Sequence, residues 1–254
     1  MNPIVAQRDW VAEPLQVLSY GGGTQSTAML LLIAQGHLPK PDIVIHADTG
    51  SELPETVDFI DVAKRFTQEK LGIPFAVVSS FRGSLHDDYM SHSRIPMIGW
   101  RSCTSNFKIL PQRRFIRTIV GNGGGQLLAE CWLGITTDES GRRAEQTDVK
   151  WTGLRYPLLD DFPFTRDQCI ELNISFGWEV SKSGCFCCPY QGGKTWLELK
   201  RTHPELFMIA VQMEEMKFER WGGKVGLYQH RKLRDIDTLE LEHATCDTGA
   251  GCFL

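Results

Sequence analysis

An apolar run that ends in three consecutive glycines and resumes at once as a helix-like run is the strongest constraint this chain places on its own fold. The stretch reads Leu18-Ser19-Tyr20-Gly21-Gly22-Gly23-Thr24-Gln25-Ser26-Thr27 and continues into Ala28-Met29-Leu30-Leu31-Leu32. Glycine reaches positive φ without strain, so the backbone N–H groups of Gly21, Gly22 and Gly23 are free to close on an anion. Ser26 and Thr27 then fall at a helix N-terminus, whose orphan donors and dipole favour negative charge. The pattern is strand, phosphate loop, helix. Three glycines alone would equally serve a tight turn with no ligand, so the rest of the chain has to decide.

A second strand-end loop follows, where Asp42-Ile43-Val44-Ile45-His46-Ala47 runs into Asp48-Thr49-Gly50-Ser51-Glu52-Leu53-Pro54-Glu55-Thr56. In an open parallel sheet, ligands bind outside the carboxyl ends of the strands where strand order reverses, so two such loops point to one crevice. The glycine loop resembles the signature of the PP-loop ATP pyrophosphatase superfamily. The Asp48 loop is similar to the matching loop of its phosphoadenosine phosphosulfate (PAPS) reductase branch. Three further segments resemble that branch in the same order. They are Cys103-Thr104-Ser105-Asn106-Phe107-Lys108-Ile109-Leu110-Pro111, then Gly134-Ile135-Thr136-Thr137-Asp138-Glu139-Ser140 with Arg142, Arg143 and Ala144, and then Tyr156-Pro157-Leu158-Leu159-Asp160 before Thr165-Arg166-Asp167-Gln168. Each is short; only the ordered set, spanning about 16–188, is specific.

The resemblance implies an adenine nucleotide, ATP or a sulfonucleotide such as PAPS or adenylylsulfate. Ser19, Tyr20, Gly21, Gly22, Gly23, Thr24, Gln25, Ser26, Asp48, Thr49 and Gly134 would bind it. Asp48, Lys108, Asp138 and Arg143 would carry catalysis, the two aspartates by helping to hold Mg²⁺. The chain departs from the superfamily pattern at Thr24 and Gln25, where many members have a lysine and an aspartate, and at Gly21, where a serine is usual. One cation near the phosphates is thereby lost. Arg101, Lys108, Arg142 or Arg143 would have to neutralise a leaving pyrophosphate.

With 254 residues and 42% hydrophobic content, the chain is long enough to bury one substantial core. Its longest strongly apolar stretch, 28–34, falls well short of the roughly 20 residues a membrane helix requires, and 1–9 lack the basic start and apolar core of a signal peptide. A cytoplasmic location is the expectation. The formal net charge of −4 argues against coating nucleic acid by bulk attraction. Local basic faces are the exception: Lys108, Arg113, Arg114 and Arg117, and Lys217, Arg220, Lys224, His230, Arg231, Lys232 and Arg234. Either is a solvated face or a surface for a nucleic-acid or nucleobase substrate.

Eight cysteines are the second large signal. In a reducing compartment, clustered cysteines read as metal-binding or catalytic, not as a disulfide framework. Cys185 and Cys188 form a C-x-x-C closed by Pro189, with Cys187 between them, and this spacing brings two thiolates of one loop to adjacent positions on zinc or an iron–sulfur cluster. Cys103, which opens the segment similar to the branch's cysteine, lysine and proline loop, is the best-placed distant ligand. The expected set is Cys103, Cys185 and Cys188 around a 4Fe-4S cluster, with Cys187 as the fourth ligand or one iron open to sulfide or substrate. Zinc, a metal-free redox pair and buried thiols are the alternatives. Cys131 and Cys169 read as core residues. The tail holds Cys246 and Cys252 among glycines; PAPS reductases attack the sulfonate with a tail cysteine, so Cys252 is the candidate nucleophile.

Strands are expected at 16–19, 43–47, 75–79, 128–134 and 155–158, and helices at 26–35, 55–70, 110–120 and 165–172. That alternation predicts an α/β fold, a mainly parallel twisted sheet with helices on both faces. A helical segment at 194–221, interrupted at His203-Pro204, follows the cysteine loop. The expected division is a PP-loop domain over 1–178 and a cysteine-rich, mostly helical module over 179–254. Residues 121–125 read as a glycine connector, His46 as a core residue, and His86, Asp87 and Asp88 as a polar surface lid. Two enzyme functions stand open. One is ATP-dependent adenylation of a substrate followed by sulfur transfer at a 4Fe-4S cluster, the sulfur coming from a donor. The other is sulfonucleotide reduction with release of sulfite, served by a thioredoxin-like reductant. A nucleotide-binding sensor without turnover is the third, and oligomerisation is compatible with each.

Overall fold

The computed structural model describes residues 13–122, 126–144, 147–180, 183–223, 225–228 and 232–238. Five strands form one parallel sheet in the order β3-β2-β1-β4-β5, built from β1 (Leu15–Tyr20), β2 (Ile43–Asp48), β3 (Phe75–Ser79), β4 (Ala129–Trp132) and β5 (Thr152–Arg155). Strand β1 lies in the middle, with Val17 opposite both Ile43 of β2 and Cys131 of β4. Its side chains alternate between two cores, as the period of a strand requires. Leu18 and Tyr20 join one cluster with Val44, Trp132 and residues of α1 (Thr24–Ala34), α2 (Pro54–Glu69) and α7 (Arg166–Ser175). Leu15 and Val17 join the other, with Ile43, Ile45, Ala129 and the Ile116 and Ile119 side chains of α5 (Leu110–Val120). Helices therefore cover both faces of the sheet.

Helix α1 is buried from Thr24 to Ile33 and packs along α7. This explains why its sequence shows no polar face. Helix α7 opens on a capping box: the Thr165 hydroxyl accepts the Gln168 N–H while the Gln168 side chain accepts the Thr165 N–H. Asp42 fixes the start of β2 by accepting the Gln16 N–H at 2.8 Å.

The structure moves several expected elements. The fifth strand is not at 155–158 but at Thr152–Arg155, and Pro157 opens the short α6 (Pro157–Asp160). Proline has no N–H for a sheet ladder, yet its fixed φ suits the first turn of a helix. The strand expected over 128–134 is confined to Ala129–Trp132. The polar stretch around His86 forms α3 (Leu85–Ser91), which Ser84 caps by accepting the Asp87 N–H at 3.2 Å. Residues 102–104 form α4 (Ser102–Thr104), which passes through a π-helical turn (Ser105–Ile109). The expected break at His203 separates α8 (Gly193–Thr202) from α9 (Pro204–Trp221).

Two compact units emerge. One takes the described residues of Met1–Ala47, Pro54–Val78 and Leu110–Ser183, and the other those of Asp48–Leu53, Ser79–Ile109 and Gly184–Leu254. The second unit is thus assembled from three stretches of chain, two of which precede residue 178. Its core gathers Leu85, Phe107, Phe186, Trp196, Phe207 and Leu227. Among the described residues, no helix is long and apolar enough to cross a membrane.

Glu214 of α9 sits inside this second core at 1% exposure. Its carboxylate accepts the Leu227 N–H at 2.9 Å and the Leu233 N–H at 2.8 Å, so one side chain ties down the chain that leaves the helix. Burial raises its pKa above the ordinary glutamate value, with the two N–H donors opposing. Glu214→Gln replaces one acceptor by a donor that faces an N–H, and should lower stability by about 1–3 kcal/mol. A pKa raised on folding favours the native state most at low pH, so the difference between wild type and variant should shrink as pH rises from the ordinary glutamate range. Urea unfolding of both proteins across that range checks the magnitude and the sign.

Candidate functional site

Strand order reverses between β1 and β4: from β1 the chain proceeds outward to β2 and β3, then returns to the other side for β4 and β5. Gly21–Gly23 follow β1 and Leu133–Gly134 follow β4, so the glycine loop and Gly134 stand at the topological switch point. Gly22 has φ +74°, and a Cβ there would lie 3.3 Å from Ile60 and Thr56 side-chain atoms. At Gly23 a Cβ would come within 2.6 Å of the Ser183 hydroxyl. Gly23 caps α1 with no side-chain hydrogen bond, which leaves the first-turn amides, unsatisfiable within the helix, to meet a ligand. Gly134 presses on the same turn: its Cβ would be 3.1 Å from Gln25 Cβ and 3.2 Å from the Ser26 nitrogen.

The side chains of the loop have structural partners. Ser19 donates to Gln112 Oε1 at 2.8 Å. Tyr20 is a core residue: its ring packs edge-on to Phe75, its hydroxyl pairs with Thr27 Oγ1 at 3.0 Å, and burial pushes its pKa up. Only the Tyr20 backbone stands at the strand end, where its carbonyl pairs with His46 Nδ1 at 2.9 Å, and His46 is buried as expected. Ser26 donates to the Gly23 carbonyl at 3.1 Å. Gln25 donates to Glu139 Oε2 at 3.3 Å, and Arg142 pairs with the same oxygen at 3.0 Å. Glu139, which nothing in the sequence singled out by itself, is therefore the hub beside the first turn. Asp138 is exposed and accepts the Arg166 N–H at 3.0 Å, and Arg143 pairs with Asp160 at 2.7 Å.

Asp48 closes β2, and its Oδ1 accepts the Gly50 N–H at 2.7 Å. Gly50 has φ +65°, and a Cβ there would lie 2.8 Å from Ser84 Cβ. Thr49 donates its hydroxyl to Glu52 Oε1 at 2.7 Å, with its Oγ1 3.2 Å from Cys185 Sγ. The loop is stitched to the cysteine segment by the Phe186 N–H on the Ser51 carbonyl at 2.9 Å and by a bridge between Glu52 and Cys185. Ser51 also pairs with His86 Nδ1 at 2.9 Å. Ser51, Glu52 and His86 form a network that spacing alone could not reveal, because His86 joins it from a separate segment.

The expected thiols are brought together. Cys103, Cys185, Cys187 and Cys188 line one cavity with Arg101, Lys108 and Tyr190. The Cys188 N–H closes a turn on the Cys185 carbonyl at 3.0 Å, and Gln191 donates to the carbonyls of Cys185 and Phe186 at 3.1 and 2.8 Å. Arg101 adopts a left-handed backbone, φ +37°, a conformation that costs a non-glycine residue about 1–3 kcal/mol and is retained chiefly at functional sites. Four soft donors beside two cations suit a thiolate-ligated centre. The enclosed space is about 20 Å³, room for one water or ion, and among the described residues no three His, Cys, Asp or Glu side chains converge to hold a metal ion. Cys131 lies in β4 and Cys169 is buried in α7, each with its pKa pushed up to about 12 by burial, consistent with core roles. Cys246 and Cys252 lie outside the described residues, as do Lys224, His230, Arg231 and His243.

The first basic stripe is largely spent internally. Arg113 pairs with Asp148, and Arg117 stacks on Trp151 at 3.8 Å while donating to the Gly121 carbonyl. Of the second, Lys217 donates to the carbonyls of Gly222 and Val225, and Arg234 pairs with Glu215 at 2.5 Å.

The family model of the phosphoadenosine phosphosulfate reductase domain matches residues 16–155, more than half of the chain, and the chain belongs to that family. An uncharacterized protein of Methanocaldococcus jannaschii is 26% identical over 203 residues, covering 74% of this chain and 45% of its own length. The chain thus spans about half the length of that curated relative. Among solved structures, the U34-tRNA thiolase NcsA from Methanococcus maripaludis with its [4Fe-4S] cluster aligns with a TM-score of 0.47 and 17% identity, over 93% of this chain and 86% of that one. The PAPS reductase of Candida auris in its phosphate complex gives 0.44 and 13%, over 67% and 76%. Neither superposition bears on the chemistry of this chain.

The close packing at Gly134 generates a prediction. Gly134→Ala should cost about 1–3 kcal/mol of stability by overpacking and should weaken adenine-nucleotide binding by displacing the first turn of α1. Gly141→Ala, where nothing lies within 4 Å of the added atom, should do neither. Chemical unfolding and nucleotide titration by calorimetry on both variants provide the check.

Proposed function

We propose that this protein is an adenine-nucleotide-binding enzyme of sulfur chemistry, which activates an oxygen-bearing substrate with ATP and then transfers sulfur to it. The observation that carries this reading is the single cavity shared by Cys103, Cys185, Cys187 and Cys188 with Arg101 and Lys108. Membership in the PAPS reductase domain family supplies the nucleotide and the sulfur context.

In this reading the uncapped first turn of α1 and the glycine loop bind the nucleotide phosphates through backbone N–H groups and the helix dipole. Asp48 and Asp138 would contribute carboxylate oxygens to Mg²⁺. The substrate oxygen attacks the α-phosphorus, pyrophosphate departs, and sulfur later displaces AMP. Arg142 and Arg143 offer positive charge for the departing pyrophosphate, at the expense of their pairings with Glu139 and Asp160. Cys103, Cys185 and Cys188 would hold a 4Fe-4S cluster, which when bound would supply an open iron for sulfide or substrate unless Cys187 completes the fourth ligand. Zinc at the same thiolates is the competing reading. The nucleobase or nucleic-acid substrate and the sulfur donor belong to this proposal.

A second reading follows from the family match itself: sulfonucleotide reduction, in which the Cys252 thiolate takes the sulfonate from the nucleotide, and a thiol of a thioredoxin-like reductant then displaces sulfite and forms a disulfide with Cys252. It needs no pyrophosphate cleavage, in keeping with the absence of a lysine at Thr24 and Gln25.

Anaerobic purification followed by iron, sulfide and zinc analysis distinguishes these readings. The proposal expects broad absorption near about 400 nm from thiolate-ligated iron, lost in Cys103→Ala and Cys185→Ala, together with ATP-dependent pyrophosphate release. Zinc in place of iron, with sulfite produced from a sulfonucleotide, would instead support the reductase.

A further inference from the structure

Residues 89–109 carry Arg94, Arg101 and Lys108 and no Asp or Glu, in a chain whose formal net charge is −4. The same stretch exposes Met97, Ile98 and Trp100, and Trp100, at 83%, is the most exposed large hydrophobic side chain among the described residues. An indole left in water forfeits the burial through which aromatic side chains stabilise a fold. A loop that holds one out therefore calls for a purpose other than stability.

The loop is firmly built. Tyr89 of α3 fastens both of its ends: its carbonyl accepts the Arg94 N–H at 2.8 Å, and its hydroxyl pairs with Ser102 Oγ at 2.8 Å. Ile95 is buried at 4% exposure, and the buried Pro96 lies on the wall of the thiol cavity. Ser93 at φ +50° and Arg101 at φ +37° flank the segment, and among the described residues they are the two outside glycine with positive φ. Such strain persists where the surroundings over-determine it, and it clusters at ligand-binding sites. Because Pro96 and Arg101 both line the thiol cavity, Met97, Ile98 and Trp100, which lie between them in the chain, belong to the loop that spans its rim.

The chemistry of the loop selects its ligand. An exposed indole offers a π-face on which any base can stack, and cations beside it meet the phosphates that adjoin that base. Carboxylates would oppose such a strand, and those nearest in sequence are engaged. Asp87 accepts the Ser84 hydroxyl at 2.6 Å and lies 3.6 Å from His86, while Asp88 pairs with Arg82 at 3.5 Å. An apolar protein partner needs no charge on the flanks of the segment; Arg94 and Arg101 on either side of it favour a polyanion. Bases inside a duplex are stacked on both faces, so the base that reaches Trp100 is an unpaired one.

We propose that the 94–101 loop is the binding surface for a single-stranded nucleic-acid substrate, with one unpaired base stacked on Trp100, the adjoining phosphates met by Arg94 and Arg101, and the neighbouring part of the strand presented to the thiol cavity. This rests on the nucleobase or nucleic-acid reading of the substrate given above. The full chain, with no ATP added, would be titrated by fluorescence anisotropy with a labelled mixed-sequence strand of about 12 nucleotides, as RNA and as DNA, and with the corresponding duplexes. Whichever sugar is preferred, the single strand should bind at least about tenfold more tightly than its duplex, and Trp100→Ala should weaken it about tenfold, with most of the affinity kept in Trp100→Phe. Arg94→Ala should lower the slope of log affinity against log salt by about 0.7. Trp221→Ala, at an exposed tryptophan of α9, should leave the affinity unchanged. Duplex bound as tightly as single strand, an affinity that Trp100→Ala leaves unchanged, or an equal loss in Trp221→Ala overturns the proposal. A wild-type dimer that Trp100→Ala converts to monomers, without strand binding, gives the face to a second copy and overturns it as well. Should Trp100→Ala fail to fold by circular dichroism, Arg94→Ala decides: an unchanged salt slope refutes the assignment. Absence of iron or of pyrophosphate release would refute the sulfur-transfer reading by itself, since strand binding is measured without turnover.

Discussion

Helix α1 is buried along nearly its whole length although its first turn is made of Thr24, Gln25, Ser26 and Thr27, and that conflict organises the first unit. Each buried polar group needs a partner, and each partner comes from a different element. The Thr24 carbonyl takes Asn173 from α7, Gln25 takes Glu139, Ser26 turns back to Gly23, and Thr27 meets the Tyr20 hydroxyl. What no partner within the helix can satisfy is the set of N–H groups at its start. Burial of the helix thus concentrates unspent donors at one point, the switch point of the sheet, and this is the physical basis for reading the loop as an anion site.

How much of this could be read in advance follows from how local each signal is. The strand, glycine loop and helix at 18–32 announce themselves because apolar periodicity and three glycines lie within one short stretch. The cysteines were legible as a group for the same reason, and Cys103 joined them only through a resemblance. The fifth strand was misplaced because Tyr156-Pro157-Leu158 is apolar enough for a strand, while the missing proline N–H assigns it to a helix start. The helix at Leu85–Ser91 was not foreseen although Ser84 and Asp87 carry the capping spacing, since 86–88 showed polar surface character and no apolar period.

Networks were the least legible part. Glu139 draws significance from Gln25, more than a hundred residues away, and Glu52 from Thr49 and Cys185. Thr49 is instructive. Its hydroxyl has one hydrogen, given to Glu52, yet its oxygen also touches the Cys185 sulfur, so the residue after Asp48 belongs as much to the thiol segment as to the strand it follows. A sequence motif places it beside a nucleotide; the geometry gives its side chain to the cysteines.

The second unit is drawn from Asp48–Leu53, Ser79–Ile109 and Gly184–Leu254. Cys103 arrives with the middle stretch and the C-x-x-C with the last, while the first braces the C-x-x-C loop through hydrogen bonds and a β-bridge. The thiol cavity and its bracing are therefore interleaved in sequence with the first unit, whose stretches Pro54–Val78 and Leu110–Ser183 run between the segments that build them. Deleting Gly184–Leu254 as a terminal segment would remove the C-x-x-C and leave Cys103 and the Asp48–Leu53 brace without the thiols they serve.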